Sequence, residues 1–353
     1  MKKMSKVTKN NLITYAMVIV VYIIMEVLLK TGHVSSLLQG LLVPLCTYVI
    51  LAVSLNLTVG ILGELSLGHA GFMCVGAFCS ALFSLCTKES IPNGGLRFFI
   101  AILIAAVTAA ICGIIVGIPV LRLKGDYLAI VTLAFGEIIK NLVNAIYLGV
   151  DSNGFHFSMK DTMSLNMEAD GKVLIKGAQG ITGTPHSSNF TIGVILILIT
   201  LVIVNNLVHS RTGRAVMSIR DNRIAAESIG INITKYKLIA FTLSASLAGV
   251  AGALYSHNLA TLTALPKNFG YNMSIMILVF VVLGGIGNMR GSVIAAVVLT
   301  LLPELLRGLS DYRMLIYAVV LIVMMIFNWS PAALNLRKKV AAKFKKNKTV
   351  KEA

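Results

Sequence analysis

The amino-acid sequence predicts an all-α polytopic membrane protein with about ten transmembrane helices. Hydrophobic residues make up 57% of the 353 residues, and charged residues make up only 13%. Soluble domains carry about 25% charged residues, roughly twice that share. The apolar residues are also gathered in blocks of about 20, which is the length that a helix needs to cross a bilayer. The soluble globular classes are therefore excluded.

Hydropathy and turn-forming residues divide the chain into ten predicted spans. The first apolar stretch, Leu12 to Leu29, is longer than a signal-peptide core and is followed by no small-residue cleavage pattern, so we expect it to be retained. Turn residues such as the Pro-Asn-Gly-Gly run at 92–95 mark several span ends. The spans are predicted near residues 12–30, 38–62, 67–86, 97–118, 127–148, 190–208, 238–257, 272–288, 291–309 and 312–328.

Basic residues predict how the chain is oriented. Ten spans put both basic termini, residues 1–11 and 331–353, on one side, which the positive-inside rule assigns to the cytoplasm. Of the 31 Lys and Arg, 21 then lie on the cytoplasmic side, nine lie on the other side and Lys140 lies within a span. The domain at 12–330 carries an extracytoplasmic loop at 149–189 and a cytoplasmic loop at 209–237. The net charge of +17 needs no nucleic-acid partner.

The sequence carries no pattern that is typical of catalysis or cofactor binding. All five cysteines lie in apolar segments, without the paired spacing of a zinc site. The G-x-x-x-x-G-K-[ST] phosphate loop, the H-E-x-x-H pair and the G-x-S-x-G elbow are missing from the sequence. We therefore expect that this chain is not an enzyme and binds neither metal nor cofactor.

Two interpretations of residues 63–86 remain open, because glycines crowd the segment from residue 60 to residue 76. Small residues let transmembrane helices approach closely, which favours a packed span. A broken or partly re-entrant element that lines a cavity would also be rich in glycine. The segment contains Gly60, Gly63, Gly68, Gly71 and Gly76, together with Glu64, Ser66 and His69.

Two opposite charges lie within the fifth predicted span. Glu137 and Lys140 are three residues apart and therefore share one face of a helix. An unpaired charge at the bilayer centre costs on the order of 3 kcal/mol on insertion scales. The spacing predicts an intramembrane ion pair, with a transport role for these residues as the alternative.

The loop at 209–237 is the only long internal loop on the predicted cytoplasmic side. Asp221 or Asn222 is placed to cap a short helix, and Gly230 suits a left-handed helix end. Thr234 is placed to cap the next span. Because Ile224, Ala225, Ala226 and Ile229 make this helix partly apolar, it suits a groove on another protein. A helix lying on anionic lipid, favoured by the arginines of the loop, is the alternative.

Several sequence blocks together resemble the LivM branch of the branched-chain amino-acid permeases. Ile224-Ala225-Ala226-x-x-x-Gly230 is similar to the E-A-A-x-x-x-G coupling motif of ABC importer permeases, with Ile in place of the Glu. The similar blocks run in order along the chain: SLGHAGF at 66–72, LRLKGDYLAIVTLAFGEI at 121–138, GRAVMSIRDNRIAAESIGINITKYKLIAF at 213–241, SASLAGVAGALY at 244–255 and GGIGNMRGS at 284–292.

The resemblance implies a type II-like permease bundle in the bacterial cytoplasmic membrane. Its implied partners are a homologous second permease, two cytoplasmic ATPases that bind ATP and Mg, and an extracytoplasmic solute-binding protein. The implied substrates are branched-chain amino acids, with urea or another small polar solute as the alternative. The implied ATPase-coupling residues are Arg220, Asp221, Arg223, Ile224, Ala225, Ala226, Glu227 and Gly230. Arg220, Asp221 and Arg223 are candidates to replace the motif's missing Glu.

Polar residues in or beside the spans are candidates to line a translocation pathway. Hydrogen bonding between helices is the alternative role for each of them. The candidates are Asn56, Ser66, His69, Thr132 and Asn288. A different class of function, an ion-coupled secondary transporter, would work without ATPase partners and would depend on a buried carboxylate such as Glu137.

Overall fold

The computed structural model describes residues 6–32, 35–123, 125–151, 154–167, 171–306 and 312–329. A helix lies at each of the ten predicted spans. The helices are α1 Lys6–Lys30, α2 Ser36–Asn56, α3 His69–Cys86, α4 Gly94–Val120, α5 Asp126–Ala145, α6 Phe190–His209, α7 Arg211–Asp221, α8 Arg223–Ser228, α9 Ile233–Ser256, α10 Pro266–Phe269, α11 Tyr271–Gly284, α12 Met289–Leu305 and α13 Arg313–Trp329.

Eight helical segments of the described chain are long and apolar enough to cross a membrane. They are α1, α2 with its π-helical extension Leu57–Leu62, α3, α4, α5, α6, α9, and α10 with α11. The helices at the last two predicted spans, α12 and α13, have 17 residues each. The all-α polytopic fold class is therefore confirmed, while the first helix begins at Lys6, inside the predicted N-terminal segment 1–11. The predicted tail at 331–353 lies outside the described residues.

Helix α9 occupies the middle of the bundle because one stretch of it is built from small residues. Gly249 lies against Ala105 and Ala109 of α4, and Gly252 lies against the backbone of α3. A Cβ atom at position 252 would be 2.1 Å from the carbonyl oxygen of Met73. Small residues therefore let α3 and α4 approach α9 closely from two sides.

The loop predicted at 149–189 contains β-structure that the sequence analysis did not predict. Strands β1 Tyr147–Asp151, β2 Gly154–Ser158 and β3 Lys172–Lys176 form an antiparallel sheet in the order β2-β1-β3. Strand β4 Ile181–Thr182 pairs with β5 Thr261–Leu262. Because β1 begins at Tyr147, α5 ends at Ala145, before the predicted span end at 148. Beyond the sheet, the backbone N–H of Ser164 bonds the Asp161 carboxylate and lowers its pKa.

The connections between successive crossing helices fall on two sides of the bundle. The sheet face carries the segments 146–189 and 257–265, which β4 and β5 join. The basic face carries the segments 63–68, 210–232 and 285–288. Two hydrogen bonds hold this face together, from Arg220 Nη1 to the Gly60 carbonyl and from the Gly287 backbone N–H to Asn56 Oδ1, both 2.8 Å.

Residues 63–68, here called the connector, are not helical and turn back into the bundle. Gly63 has a φ of +79°, and it turns the chain at the end of the π-helical extension of α2. His69, the first residue of α3, has its Nε2 2.8 Å from Ser54 Oγ. Since Ser54 lies eight residues before Leu62, α3 begins roughly 12 Å deep at 1.5 Å per residue. The connector is therefore re-entrant, and close glycine packing accompanies it, because Gly71 lies against Gly136.

Candidate functional site

Helices α7 and α8 form a bent element on the basic face, and local sequence fixes each bend. Ser210 caps α7 by accepting from the Gly213 backbone N–H at 3.1 Å. Asn222, in an extended conformation, caps α8 by accepting from the Ala225 backbone N–H at 3.0 Å. Gly230 has a φ of +84°, the left-handed region expected of a helix end. Helix α7 was not predicted.

Of the two predicted caps, the one at Asp221 or Asn222 is confirmed and the other is not. Asn222 caps α8, whereas Asp221 is the last residue of α7 and accepts from its neighbour Arg220. Asn232 caps α9 by accepting from the Lys235 backbone N–H, so the cap predicted at Thr234 is wrong. Asn is among the strongest capping residues, which agrees with its role at both helix starts.

Helix α8 has a buried side and an exposed side. Ala226 is buried with Ile219 of α7 and Ile233 of α9, and these three residues form a small apolar cluster. On the other side Ile224 is 81% exposed and Ile229 is 74% exposed. Arg223, Ala225, Glu227 and Gly230 are exposed as well. The α7–α8 element therefore packs against α9 on one side and exposes two large apolar side chains on the other.

Arg220 connects the α7–α8 element to the end of α2. Its Nη1 donates to the Gly60 carbonyl at 2.8 Å, and its Nε and Nη2 donate to Asp221 Oδ1 at 3.0 and 2.9 Å. The arginine side chain also lies against Gly63, where a Cβ atom would be 2.5 Å from Arg220 Cγ. Arg220 thus joins α7 to the turn that begins the connector.

A buried ion pair provides a second connection. Lys237 in the second turn of α9 donates to Glu64 in the connector, and the two side chains are almost removed from solvent. Beside them lies a cavity of about 190 Å³ whose lining includes Arg220, Arg223 and Lys237. Sequence reasoning missed this pair, because only folding brings residues 173 positions apart together.

Three of the candidate pathway residues meet at the inner end of the connector. Thr132 Oγ1 of α5 accepts from the Leu67 backbone N–H at 3.0 Å and donates to the Ala129 carbonyl. His69 contacts Ser54, as described above. Ser66 is buried, and its Oγ has no hydrogen-bond partner among the described residues. Thr132 and His69 hold the connector in place within this chain.

The other two candidates lie together on the basic face. Asn56 is fully buried, donates from Nδ2 to Ser292 Oγ at 2.8 Å and accepts from the Gly287 backbone N–H. Asn288 is exposed and caps α12. Asn56 therefore fastens α2 to the 285–288 turn and to α12.

Glu137 and Lys140 are in contact in the middle of α5, and Glu137 has a second partner. Its Oε1 accepts from the backbone N–H of Tyr271, the first residue of α11, at 2.8 Å. A carboxylate at a helix N-terminus is stabilised by the free amides and the helix dipole. The first turn of α11 also meets α3, because Ser274 Oγ accepts from the Ala70 backbone N–H at 3.1 Å. The N-termini of α3 and α11 thus both contact α5.

Comparisons with known proteins agree with this architecture. The family model "Branched-chain amino acid transport system / permease component" matches residues 37–327. The high-affinity branched-chain amino acid transport system permease proteins LivM of Salmonella typhimurium and of Escherichia coli are each 35% identical over 296 residues, which is 81% of this chain and 67% of theirs. The fructose import permease protein FruG of Bifidobacterium longum is 25% identical, over 86% of each chain.

No solved structure matches the chain. The family match covers most of the sequence, from the start of α2 to the end of α13, and includes the α7–α8 element and the connector. The chain belongs to the branched-chain amino acid permease family, and it is a permease subunit of an ABC importer.

Proposed function

We propose that this permease carries branched-chain amino acids across the bacterial cytoplasmic membrane, with energy supplied by two ATPase subunits that bind ATP and Mg. A homologous second permease completes the pathway, and an extracytoplasmic binding protein delivers the solute. Support for the substrate comes from the two LivM relatives, whose names specify branched-chain amino acids. The fructose permease relative makes a different small polar solute the alternative.

In this proposal the basic face is cytoplasmic. Arg211, Arg214, Arg220 and Arg223 lie there, as the positive-inside rule requires of the cytoplasmic side. The α7–α8 element then projects into the cytoplasm, within reach of an ATPase. The sheet face lies outside, where the β1–β3 sheet is available to the binding protein.

The observation that carries the proposal is the construction of the α7–α8 element. Ile224 and Ile229 are exposed on a short helix whose opposite side packs against the bundle. Exposed apolar side chains at the two ends of a short helix suit a groove on a partner protein. When Ile224 and Ile229 insert in the ATPase, the exposed Arg223 is placed to contact polar groups at the rim of the groove.

The same element is joined to the transmembrane core by two links. Arg220 bonds the carbonyl of Gly60, and Lys237 bonds Glu64. When the ATPases move α8, the contact of Arg220 with Gly60 displaces the end of α2. The contact of Lys237 with Glu64 moves together with α9. Both displacements act on the connector, whose inner end is held by Thr132 and leads into α3. The connector thus converts movement on the cytoplasmic face into rearrangement of α3 against α5.

Reconstitution tests this function. Purified chain, the second permease and the ATPases are placed in proteoliposomes with the loaded binding protein and ATP, and uptake of labelled leucine is measured. We expect uptake only with ATP and all partners, and competition by isoleucine and valine but not by urea. Gradient-driven uptake by this chain alone would instead support an ion-coupled secondary transporter.

A further inference from the structure

Four helices, α1, α2, α6 and α12, enclose two neighbouring cavities of opposite character. A polar cavity of about 290 Å³ lies at the basic face, between Thr14, Asn205, His209 and Arg290. An apolar cleft of about 440 Å³ lies deeper between the same helices. The permease function assigns no role to either cavity.

Arg290 gives the polar cavity its charge. Its Nε donates to Thr14 Oγ1 at 2.5 Å, while its Nη2 is buried and has no hydrogen-bond partner among the described residues. None of the described residues that line the cavity is acidic. A buried guanidinium donor that lacks an acceptor is costly, and the planar donors of arginine fit the oxygens of a phosphate or carboxylate group. The cavity therefore favours an anion.

The apolar cleft continues from the polar cavity along the same helix faces. On α12 Arg290 is followed by Val293, Val297 and Leu301, all at helical spacing on one face. Eleven residues from Arg290 to Leu301 span roughly 16 Å at 1.5 Å per residue. On α6 the polar Asn205 is likewise followed by Ile197 and Val194 toward the sheet face. A molecule that fills both spaces has an anionic end and a long hydrocarbon part.

Helix α1 leaves the cleft accessible because it is loosely attached to the bundle. Few of its side chains are buried. Its described polar contacts are hydrogen bonds from Asn205 Nδ2 to Tyr15 Oη at 3.0 Å, between Tyr22 and Thr191 at 3.2 Å, and from Arg290 to Thr14. Two of these three contacts lie at the mouth of the polar cavity. An apolar molecule bound in the cleft would add packing contacts to α1, few of whose side chains are otherwise buried.

We propose that one anionic phospholipid binds between these helices, with its phosphate at Arg290 and an acyl chain in the cleft between α1, α6 and α12. The lipid joins α1 to the bundle. Its source is the membrane leaflet at the basic face, which the proposed orientation makes the cytoplasmic leaflet. The site itself does not depend on that orientation.

Native mass spectrometry of the full-length chain, mixed with phosphatidylglycerol or phosphatidylcholine in detergent, tests the proposal. We expect one phosphatidylglycerol per chain and weaker binding of phosphatidylcholine. Arg290→Gln should weaken phosphatidylglycerol binding about tenfold, since it removes a charge-assisted contact to phosphate. Val298→Trp, which narrows the cleft from an exposed position, should also weaken it with Arg290 intact. Lys235→Gln removes an exposed charge elsewhere and should change nothing.

Three results would overturn the proposal. One is equal phosphatidylglycerol binding by Arg290→Gln and Lys235→Gln. Another is saturable binding of inorganic phosphate that Val298→Trp leaves unchanged, which would identify a site for a free anion. The third is obtained with the unaltered chain, so it applies even if a variant fails to fold. Phosphatidylglycerol with a photoreactive acyl chain should label α1, α6 and α12 at the cleft. Labelling spread evenly over the apolar surface would contradict the site.

Discussion

Glu64 and Lys237 show how one buried contact fixes the position of a whole segment. Two charges that leave water lose hydration, and only their mutual contact offsets that cost. Because Glu64 lies in the non-helical connector, its contact with α9 sets where the connector enters the bundle. The pair is therefore more useful for specifying position than for adding net stability.

We expect Glu64→Gln to destabilise the chain by about 3–5 kcal/mol, because it leaves Lys237 buried without a counter-charge. The double variant Glu64→Gln/Lys237→Gln should recover much of that loss. Chemical unfolding in detergent measures both. The matched control is Glu26→Gln, which breaks the exposed pair with Lys30, 3.6 Å apart, and should cost less than about 1 kcal/mol. Equal losses for the two single variants would argue against a structural role for the buried pair.

Gly252 tests the packing of α9 at the same scale. We expect Gly252→Ala to destabilise by about 1–3 kcal/mol, since a Cβ atom there meets the α3 backbone and overpacks the interface. Gly40→Ala is the control, because no atom lies within 4 Å of its Cβ position. Thermal unfolding of the two variants in one detergent gives the comparison, and a Gly252→Ala variant as stable as Gly40→Ala would refute the close approach.

At the scale of elements, α8 separates what the fold needs from what a partner needs. We expect Ile224→Asp to leave the unfolding temperature unchanged, since its side chain contacts little in this chain, and to weaken ATPase binding more than about tenfold, as loss of a central apolar anchor does. Thr234→Asp, exposed in the first turn of α9, is the control. Co-purification with the ATPase decides, and unchanged association for Ile224→Asp would remove α8 from the interface.

The β1–β3 sheet offers a second candidate surface. Phe155 and Phe157 alternate along the edge strand β2, and they are 70% and 57% exposed. Exposed aromatic residues on an edge strand are typical of interaction sites. We expect the Phe155→Ser/Phe157→Ser variant to need about fivefold more loaded binding protein for half-maximal uptake, in line with the loss of interface hot spots. Lys160→Gln is the control, and an unchanged requirement would place the docking site elsewhere.

Sequence patterns predicted elements well where one local property decides the structure. Blocks of about 20 apolar residues located a helix at every predicted span, and Gly230 adopts the expected left-handed conformation. Elements that depend on pairing were missed. Strands β1, β2 and β3 have only five residues each, which is too short to distinguish from a loop. Helix α7 was missed because it is short, with 11 residues, and its few apolar residues lie in a basic stretch.

The candidate site was predicted as separate pieces whose connections only the structure shows. The motif from Ile224 to Gly230 predicted the position of α8, and the glycine-rich stretch at 60–76 predicted the position of the connector. That Arg220 reaches Gly60 and that Lys237 reaches Glu64 could not be predicted, because both contacts join segments more than 150 residues apart. The candidate pathway residues Asn56, His69 and Thr132 turn out to bond neighbouring elements, the alternative role considered for each. Their part in translocation remains a prediction.

At the scale of the whole molecule, the chain combines a rigid core with a linked series of small elements. Helices α3, α4 and α9 pack through glycine and alanine, and they supply a frame that resists deformation. The α7–α8 element, the turn at Gly60 to Gly63 and the connector run from the basic face to the middle of that frame. In the proposed mechanism, displacement at one end passes along these contacts to the start of α3.

The number of leucine molecules taken up per ATP hydrolysed, in proteoliposomes that hold the complete transporter, tests this account most directly. Gly230→Val strains the left-handed end of α8, and Gly32→Val strains an equivalent glycine with a φ of +73° far from it; neither Cβ has an atom within 4 Å. We expect Gly230→Val to lower the ratio severalfold while assembly and ATP hydrolysis persist, and Gly32→Val to leave it unchanged. The same ratio for both variants would contradict energy transfer through α8.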